Sequence, residues 1–365
     1  MSEGRLFALV LLGLAGFSVA AARQPLAAHT LALGLFGLPH VLSELRYVDR
    51  RFGAGLRSRR GAGLAALLAC IVLARIAGVM GWLGASLAVP FELCCAALLA
   101  LVCAQGSGLR RAVAALCGAG IGAATLVSPF ETLVVFSILH NFTPLGFLWQ
   151  IAPRALRPKV LAFAGAAFLL LPLAVALHAP GALFDAAGAD PLGAGPLVQH
   201  LGVYVPSRWL HLVAARDLFA ACVAAQGAHY ASVILLLPAL LARIEPNARG
   251  LVAWPPARVF LPAIAVAGAV AFIGFAHDFQ EARALYGVVA ALHAWVEIPM
   301  LILALTPGDA ASIASPASSE PPLAQSETSS ARSKRSVAIH AINPASTTTT
   351  RLSSANSDGQ WPKRS

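Results

Sequence analysis

The sequence predicts an all-α, polytopic integral membrane bundle of about ten transmembrane helices with both termini in the cytoplasm. Three observations carry this. Only 12% of the residues are charged and 58% are hydrophobic, whereas a soluble domain carries about 25% charged residues. Apolar runs recur from Leu6 to Leu305, each long enough to cross roughly 30 Å of hydrocarbon. Finally, the basic residues gather in alternate connections between those runs, the pattern that sets membrane orientation. The net charge of +10 therefore belongs to topology, and nucleic acid is not an expected partner.

The first helix covers Leu6 to Ala22. It follows Arg5 and ends in alanines, as a signal peptide would, but a second span follows at once, so it reads as a retained helix. The second helix runs from about Leu26 to Val48 and leads into Arg50, Arg51, Arg57, Arg59 and Arg60. The third covers Gly61 to Met80. The fourth follows Pro90 and ends near Gln105, before the basic turn Gly106 to Arg111. The fifth covers Ala112 to Val127. Ser128-Pro129 opens the sixth, which ends near Gln150 before the proline-bounded turn Pro153 to Lys159. The seventh ends near Leu177. A Gly/Pro/Ala-rich loop then runs to Pro206, and Pro206-Ser207-Arg208 opens the eighth helix, which continues to about Leu241. The ninth ends near Ala276. The polar turn His277 to Glu281 precedes the tenth, which ends near Leu305.

Connections after even-numbered helices carry five, two, three and three basic residues; those after odd-numbered helices carry Arg23, none, none, Arg208, and Arg283 at one margin. Basic loops face the cytoplasm, so ten spans put both ends there, as in a bacterial-type inner (cytoplasmic) membrane protein. After Pro307 the composition collapses to Ser, Thr, Pro and Ala. Residues 1–307 are expected to form the bundle and residues 308–365 a disordered cytoplasmic tail. Its basic group Arg332, Lys334 and Arg335 suits anionic lipid. The six cysteines lie in apolar runs without C-x-x-C spacing and read as small buried hydrophobes.

The candidate site emerges from the histidines. His40 is in the second helix, His140 in the sixth, His229 in the eighth and His293 in the tenth, and these helices all run in the same direction. His40 lies ten residues before Arg50; His140 and His229 lie fourteen before Arg154 and Arg243; His293 lies thirteen before Thr306. At about 1.5 Å per residue all four share a level within roughly 6 Å. Glu44 follows His40 by four residues and Glu297 follows His293 by four, so each carboxylate lies on its histidine's face of the helix. Asn141, Gln226 and Tyr230 are candidates to orient the rings. Ionisable groups at membrane depth are expensive and usually functional.

Imidazole with carboxylate suits a divalent metal, with iron, zinc or manganese as candidates. The proposed ligands are His40, His140, His229, His293, Glu44 and Glu297, with Glu44, Glu297 and Tyr230 also as catalytic groups. At least three of the four rings should bring nitrogens within roughly 6 Å of each other. Glu44 or Glu297 should point into the same space, and Trp149 or Trp295 should contribute to its walls. The alternatives are interhelical hydrogen bonding by these residues in a scaffold, a haem site, and a proton- or ion-coupled transporter. Glu92 and Glu131 suit helix N-termini. Arg216-Asp217 reads as a neutralising pair, and His29, His178, His200, His211 and His277 as surface and loop histidines or an outer vestibule.

Gly37-x-Pro39-His40-x-x-x-Glu44 resembles the Gly-x-Pro-His-Gly-x-x-Asp motif of the Brp/Blh-type membrane β-carotene dioxygenases. The resemblance covers about ten residues. It implies intramembrane histidines, a non-haem iron and oxidation of a lipophilic substrate such as an isoprenoid, with membrane lipid as the surrounding partner. Val41 stands where that family has glycine and Glu44 where it has aspartate. That family's late His-x-x-x-His pair has no counterpart, because Val233 follows His229 and Glu297 follows His293 at that spacing. The ligand set implied for this chain therefore differs.

Overall fold

The structure, a computed structural model, describes residues 3–177, 190–244 and 250–306. Among them there is no strand, and ten helical segments are long and apolar enough to cross a membrane. The first five are single helices: α1 (Glu3–Arg23), α2 (Pro25–Leu56), α3 (Arg59–Val79), α4 (Ala85–Val102) and α5 (Gly108–Val127). The sixth is divided into α6 (Pro129–His140) and α7 (Thr143–Ile151). The seventh joins α8 (Arg157–Ala164) to α9 (Leu171–Ala176) through a π-helical stretch, Gly165–Leu170. The eighth joins α10 (Ala215–Ala231) to α11 (Leu237–Ile244) through another, Ser232–Leu236. The last two are α12 (Ala257–His277) and α13 (Phe279–Leu305). The chain is a multi-pass α-helical membrane protein.

Proline accounts for the irregular spans. A proline cannot donate to the carbonyl four residues before it. Pro172 and Pro238 each lie two positions beyond a π stretch, where the ladder has already slipped from its usual spacing. Pro144 lies one position inside α7 and leaves the His140 carbonyl without its helical donor. Asp278 caps α13, accepting from the Glu281 amide at 2.9 Å, as an N-cap carboxylate should.

Three boundaries differ from those the sequence suggests. Helix α2 continues to Leu56 rather than stopping at Val48, because the Asp49 carboxylate binds a neighbouring connection. It accepts from the Leu251 and Val252 amides at 2.7 and 3.0 Å and from the Trp254 indole at 2.9 Å. Helix α4 begins at Ala85 and contains Pro90 instead of following it. The eighth span begins at Ala215, and Ser207–Trp209 is a 3₁₀ turn. Glu131 explains that difference: its carboxylate takes both the Ser207 amide and the Ser207 hydroxyl, and so fastens the turn to the start of α6.

The connections sort to two ends as the alternation predicts. At the basic end Arg51 reaches Gln150 at 3.4 Å, Arg60 reaches Gln105 at 3.4 Å and Arg46 donates to the Pro255 carbonyl at 3.0 Å. At the opposite end Gln280 donates to the Ala194 carbonyl at 3.0 Å and Arg216 to the Arg23 carbonyl at 3.3 Å. Cys95 and Cys103 are buried as expected, but Cys70 and Cys94 face outward, toward what would be hydrocarbon. The expected tail and the boundary near residue 307 lie outside the described residues, as does His178.

Helix α2 and the α10–α11 span are buried along most of their length and form the centre. The other spans turn leucine and valine outward, which in lipid costs nothing. Gly268 of α12 makes a close backbone approach onto the middle of α2. A Cβ there would stand 2.7 Å from the Leu35 carbonyl oxygen and 2.7 Å from Pro39 Cγ. Pro39 removes the amide that would have bonded Leu35, so the exposed carbonyl meets a residue with no side chain. Gly268→Val is expected to destabilise the bundle by about 1–3 kcal/mol through overpacking, seen as a lower thermal midpoint in detergent.

Candidate metal centre

The four histidines converge. Each offers a ring nitrogen, and the four atoms lie within 4.8 Å of one another. Ring centroids are 4.7 Å apart for His40 and His293, 4.5 Å for His140 and His229, 5.0 Å for His140 and His293 and 5.2 Å for His40 and His229. Glu44, His229 and Glu297 form a second set of donors within the same limit, sharing His229 with the first. His40, Glu44, His229, His293 and Glu297 are buried, while His140 is partly open to a cavity.

The ring orientations are set mainly by backbone carbonyls. His40 Nδ1 lies 3.2 Å from the Phe36 carbonyl, and His229 Nδ1 lies 3.0 Å from the His140 carbonyl. A nitrogen facing a carbonyl must carry the hydrogen, so in neutral rings Nε2 is left as a lone pair. The His140 carbonyl is available to His229 because Pro144 cannot take it up; Thr143 Oγ1 donates to the same oxygen at 2.7 Å. His140 Nδ1 lies 2.6 Å from Glu297 Oε2, the carboxylate–histidine pairing that commonly fixes a metal-binding ring.

His40 Nε2 and His293 Nε2 face each other at 2.9 Å. Two neutral rings satisfy that contact only if His293 carries its hydrogen on Nε2. Its Nδ1 is then a buried lone pair with no hydrogen-bond partner. Both Glu44 oxygens, Glu297 Oε1 and His229 Nε2 are also buried without a hydrogen-bond partner. The nearest approach between Glu44 and His229 is 3.9 Å, beyond hydrogen-bond range. Among the described residues no lysine or arginine pairs with Glu44 or Glu297. Lone pairs and carboxylate oxygens left without hydrogen bonds beside the His140–Glu297 pair are what a divalent cation satisfies, and the donors fit one.

Tyr230 stacks on His40, with centroids 4.2 Å apart and planes at 30°, and its oxygen accepts from Gln226 Nε2 at 2.7 Å. Gln226 thus supports Tyr230, and through its oxygen His29 at 3.1 Å, rather than holding one of the four rings as expected. Asn141 differs in the same way, since its amide donates to the Ser137 carbonyl at 3.3 Å. The backbone performs the orienting role expected of these two side chains. Trp149 is not at the site; it lies under the Arg157 guanidinium at 4.7 Å. Trp295 does line the cavity and donates to Glu92 at 2.5 Å. Glu92 is buried and also meets Arg75 at 2.6 Å, so it braces α3 and α13 instead of merely opening a helix.

Two of the supposed surface histidines are buried, His29 and His200; His211 and His277 are exposed. His200 Nε2 faces the Ala194 carbonyl at 3.0 Å and so donates to it, and burial lowers its pKa below the usual histidine value. Sequence reading also passed over Tyr286. A Cβ on Gly37 would meet its ring at 3.1 Å, so the glycine of the Gly-x-Pro-His run makes room for a cavity-lining tyrosine. Helix α6 packs on α4 and α5 rather than closely along α13. The intervening cavity has a volume of about 1590 Å³, above the roughly 300–1,000 Å³ of a usual small-molecule pocket. Its walls are mostly apolar, and exposed Leu116, Val135 and Leu139 on its rim open it sideways at membrane depth.

Fold and site together define a multi-pass helical membrane protein with a buried histidine–glutamate cluster at the wall of a lipid-facing cavity. No family model matches the chain, and no curated protein or solved structure matches it. Tyr230→Phe should keep the stacking on His40 while losing the hydrogen bond from Gln226 within α10. A stability loss of about 0.5–1.5 kcal/mol is expected, measured by unfolding in mixed micelles, with the four-histidine cluster intact.

Proposed function

We propose that this chain is an intramembrane metal-dependent oxidoreductase of the oxygenase type, acting on a lipophilic substrate such as an isoprenoid. The observation that carries the reading is the convergence of four imidazole nitrogens and two carboxylates at the wall of a long apolar cavity. Iron is the first candidate, with zinc and manganese as alternatives that the same donors accept. The resemblance around Gly37, Pro39 and His40 to the Brp/Blh-type dioxygenases supports iron and a hydrocarbon-rich substrate. The gathering of basic connections at one end supports cytoplasmic termini in a bacterial-type inner membrane.

In this reading His40, His140, His229 and His293 hold the metal. Glu44 and Glu297 complete the donor set or take protons beside it. A bound redox-active ion would supply the electron-transfer and oxygen chemistry that no side chain here provides. The chain supplies the rest. Glu297 holds the His140 ring through Nδ1, and the Phe36 and His140 carbonyls hold His40 and His229. Tyr230, whose oxygen already accepts from Gln226, can give its hydrogen to a group in the cavity. The apolar walls exclude water and let a substrate arrive from the bilayer.

Elemental analysis tests this directly. Purified wild-type protein is expected to contain stoichiometric iron, zinc or manganese, and His40→Ala/His293→Ala is expected to lose it. Trace metal at the same level in both would overturn the reading. Glu297→Gln should weaken metal affinity by about 10–100-fold, the usual effect of removing a carboxylate that orients a ligand histidine. The same buried His40, His140, His229, His293, Glu44 and Glu297 can carry protons, which favours a second reading, a proton relay in a transporter. Its signature is metal-free protein with pH-dependent flux in proteoliposomes.

A further inference from the structure

The cavity has a second polar region, at the end away from the basic connections. Arg283 projects from the second turn of α13 and lines the cavity together with His29, Tyr204 and Tyr286. Among the described residues no carboxylate pairs with Arg283; its hydrogen-bond contact is His200 Nδ1 at 3.4 Å. A half-buried guanidinium without an acid is costly beside an apolar cavity. His29 is buried, with its ring 6.3 Å from that of His200 and 6.1 Å from that of Tyr204. Its Nδ1 faces Gln226 Oε1 at 3.1 Å, and its Nε2 is buried with no hydrogen-bond partner. With the hydrogen on Nδ1, Nε2 presents a lone pair.

We infer that this end is a headgroup site for an oxyacid amphiphile, whose acid group binds Arg283 and His29 while its hydrocarbon chain runs along the cavity toward the histidine cluster. The two side chains are complementary to an acid group that keeps one proton. Its O–H donates to His29 Nε2, and its other oxygen accepts from the Arg283 guanidinium. A hydrocarbon with no polar end satisfies neither, and a cationic amphiphile is repelled. The remaining cavity wall is apolar, as an alkyl or isoprenoid chain requires.

The spacing assigns where the chain would react. Ten positions separate Arg283 from His293 on α13 and eleven separate His29 from His40 on α2; both correspond to about 15 Å along a helix. The carbons over the metal cluster would therefore lie well down the chain from the acid. That positional statement rests on the proposed metal-dependent activity, but the headgroup site itself does not.

Binding measurements separate the two. A radiolabelled long-chain fatty acid is equilibrated with the purified full chain and competed by unlabelled acid, its methyl ester and the alkyl phosphate of the same length. Metal content is assayed on the same samples. The acid is expected to bind about 10–100-fold tighter than the ester, because the ester has no O–H to give the buried His29 Nε2. Arg283→Ala should weaken acid and ester alike by about 10–100-fold, the effect of losing a hydrogen bond to a charged group, without changing metal content. Competition by the phosphate would identify oxyacids in general, and its failure carboxylic acids in particular; either supports the site. Equal competition by acid and ester, or unchanged acid binding in Arg283→Ala, would overturn it. If Arg283→Ala does not fold, the acid–ester comparison on wild type decides alone. Acid-selective binding without metal would leave the headgroup site standing and remove the oxidoreductase reading; metal without acid selectivity would do the reverse.

Discussion

A carboxylate inside a membrane bundle is stabilised only by the groups that touch it, because neither water nor lipid headgroups reach it. Glu44 and Glu297 are under that constraint. Glu297 meets it halfway, through His140. Glu44 meets it only weakly, through the Glu297 carboxylate and His229 Nε2 at 3.9 Å. Replacing such a pair with apolar residues is often neutral or stabilising in a fold that needs them only for packing. Two glutamates and four histidines held in one small volume could hold a metal ion, and α2 and the α10–α11 span, which carry His40, Glu44 and His229, are the most buried spans.

The prolines of this chain extend the same logic to the backbone. Each removes an amide from the helical ladder and releases a carbonyl. Pro144 releases the His140 carbonyl, which then orients the His229 ring. Pro39 releases the Leu35 carbonyl, against which Gly268 packs. The π stretch after His229 lies next to the cluster, in keeping with the frequent placement of π distortions at working sites. The His229 ring is thus positioned by the break between α6 and α7, and an uninterrupted sixth span would leave it without its backbone partner.

Much of this was legible in the sequence. The apolar runs fixed ten spans because a span must satisfy its own backbone, and the arginines fixed the alternation that the end-to-end contacts reproduce. The shared depth of His40, His140, His229 and His293 was readable because rise per residue is nearly constant. What escaped was whatever depends on which faces meet. Asn141 and Gln226 were plausible ring partners by adjacency, yet backbone carbonyls took the role; for His229 it is the one freed by Pro144, and the four-residue spacing of His140 and Pro144 was the available signal. His29 looked superficial from its position near a helix start. It is buried because the connection carrying His200 and Tyr204 folds back over it, and no local periodicity reports a loop's destination. Trp149 and Trp295 were equivalent as aromatic candidates until Glu92 was seen to hold one of them.

The cavity joins these features into one physical arrangement. In the proposed reading a lipophilic substrate is already concentrated in the bilayer, and an opening between α6 and α13 at membrane depth would receive it without passage through water. Inside, apolar contact has little orienting power, since hydrocarbon slides over hydrocarbon with almost no energetic preference. Orientation must come from the few polar groups that line the wall, and these are placed at separated positions: the histidine–glutamate cluster at one level and Arg283 with His29 at another. Two fixed polar points along one apolar channel define both the direction and the register of a bound chain. A single point would define neither, so in the proposed reading the Arg283 guanidinium, which has no carboxylate partner, would set which part of a bound chain meets the cluster.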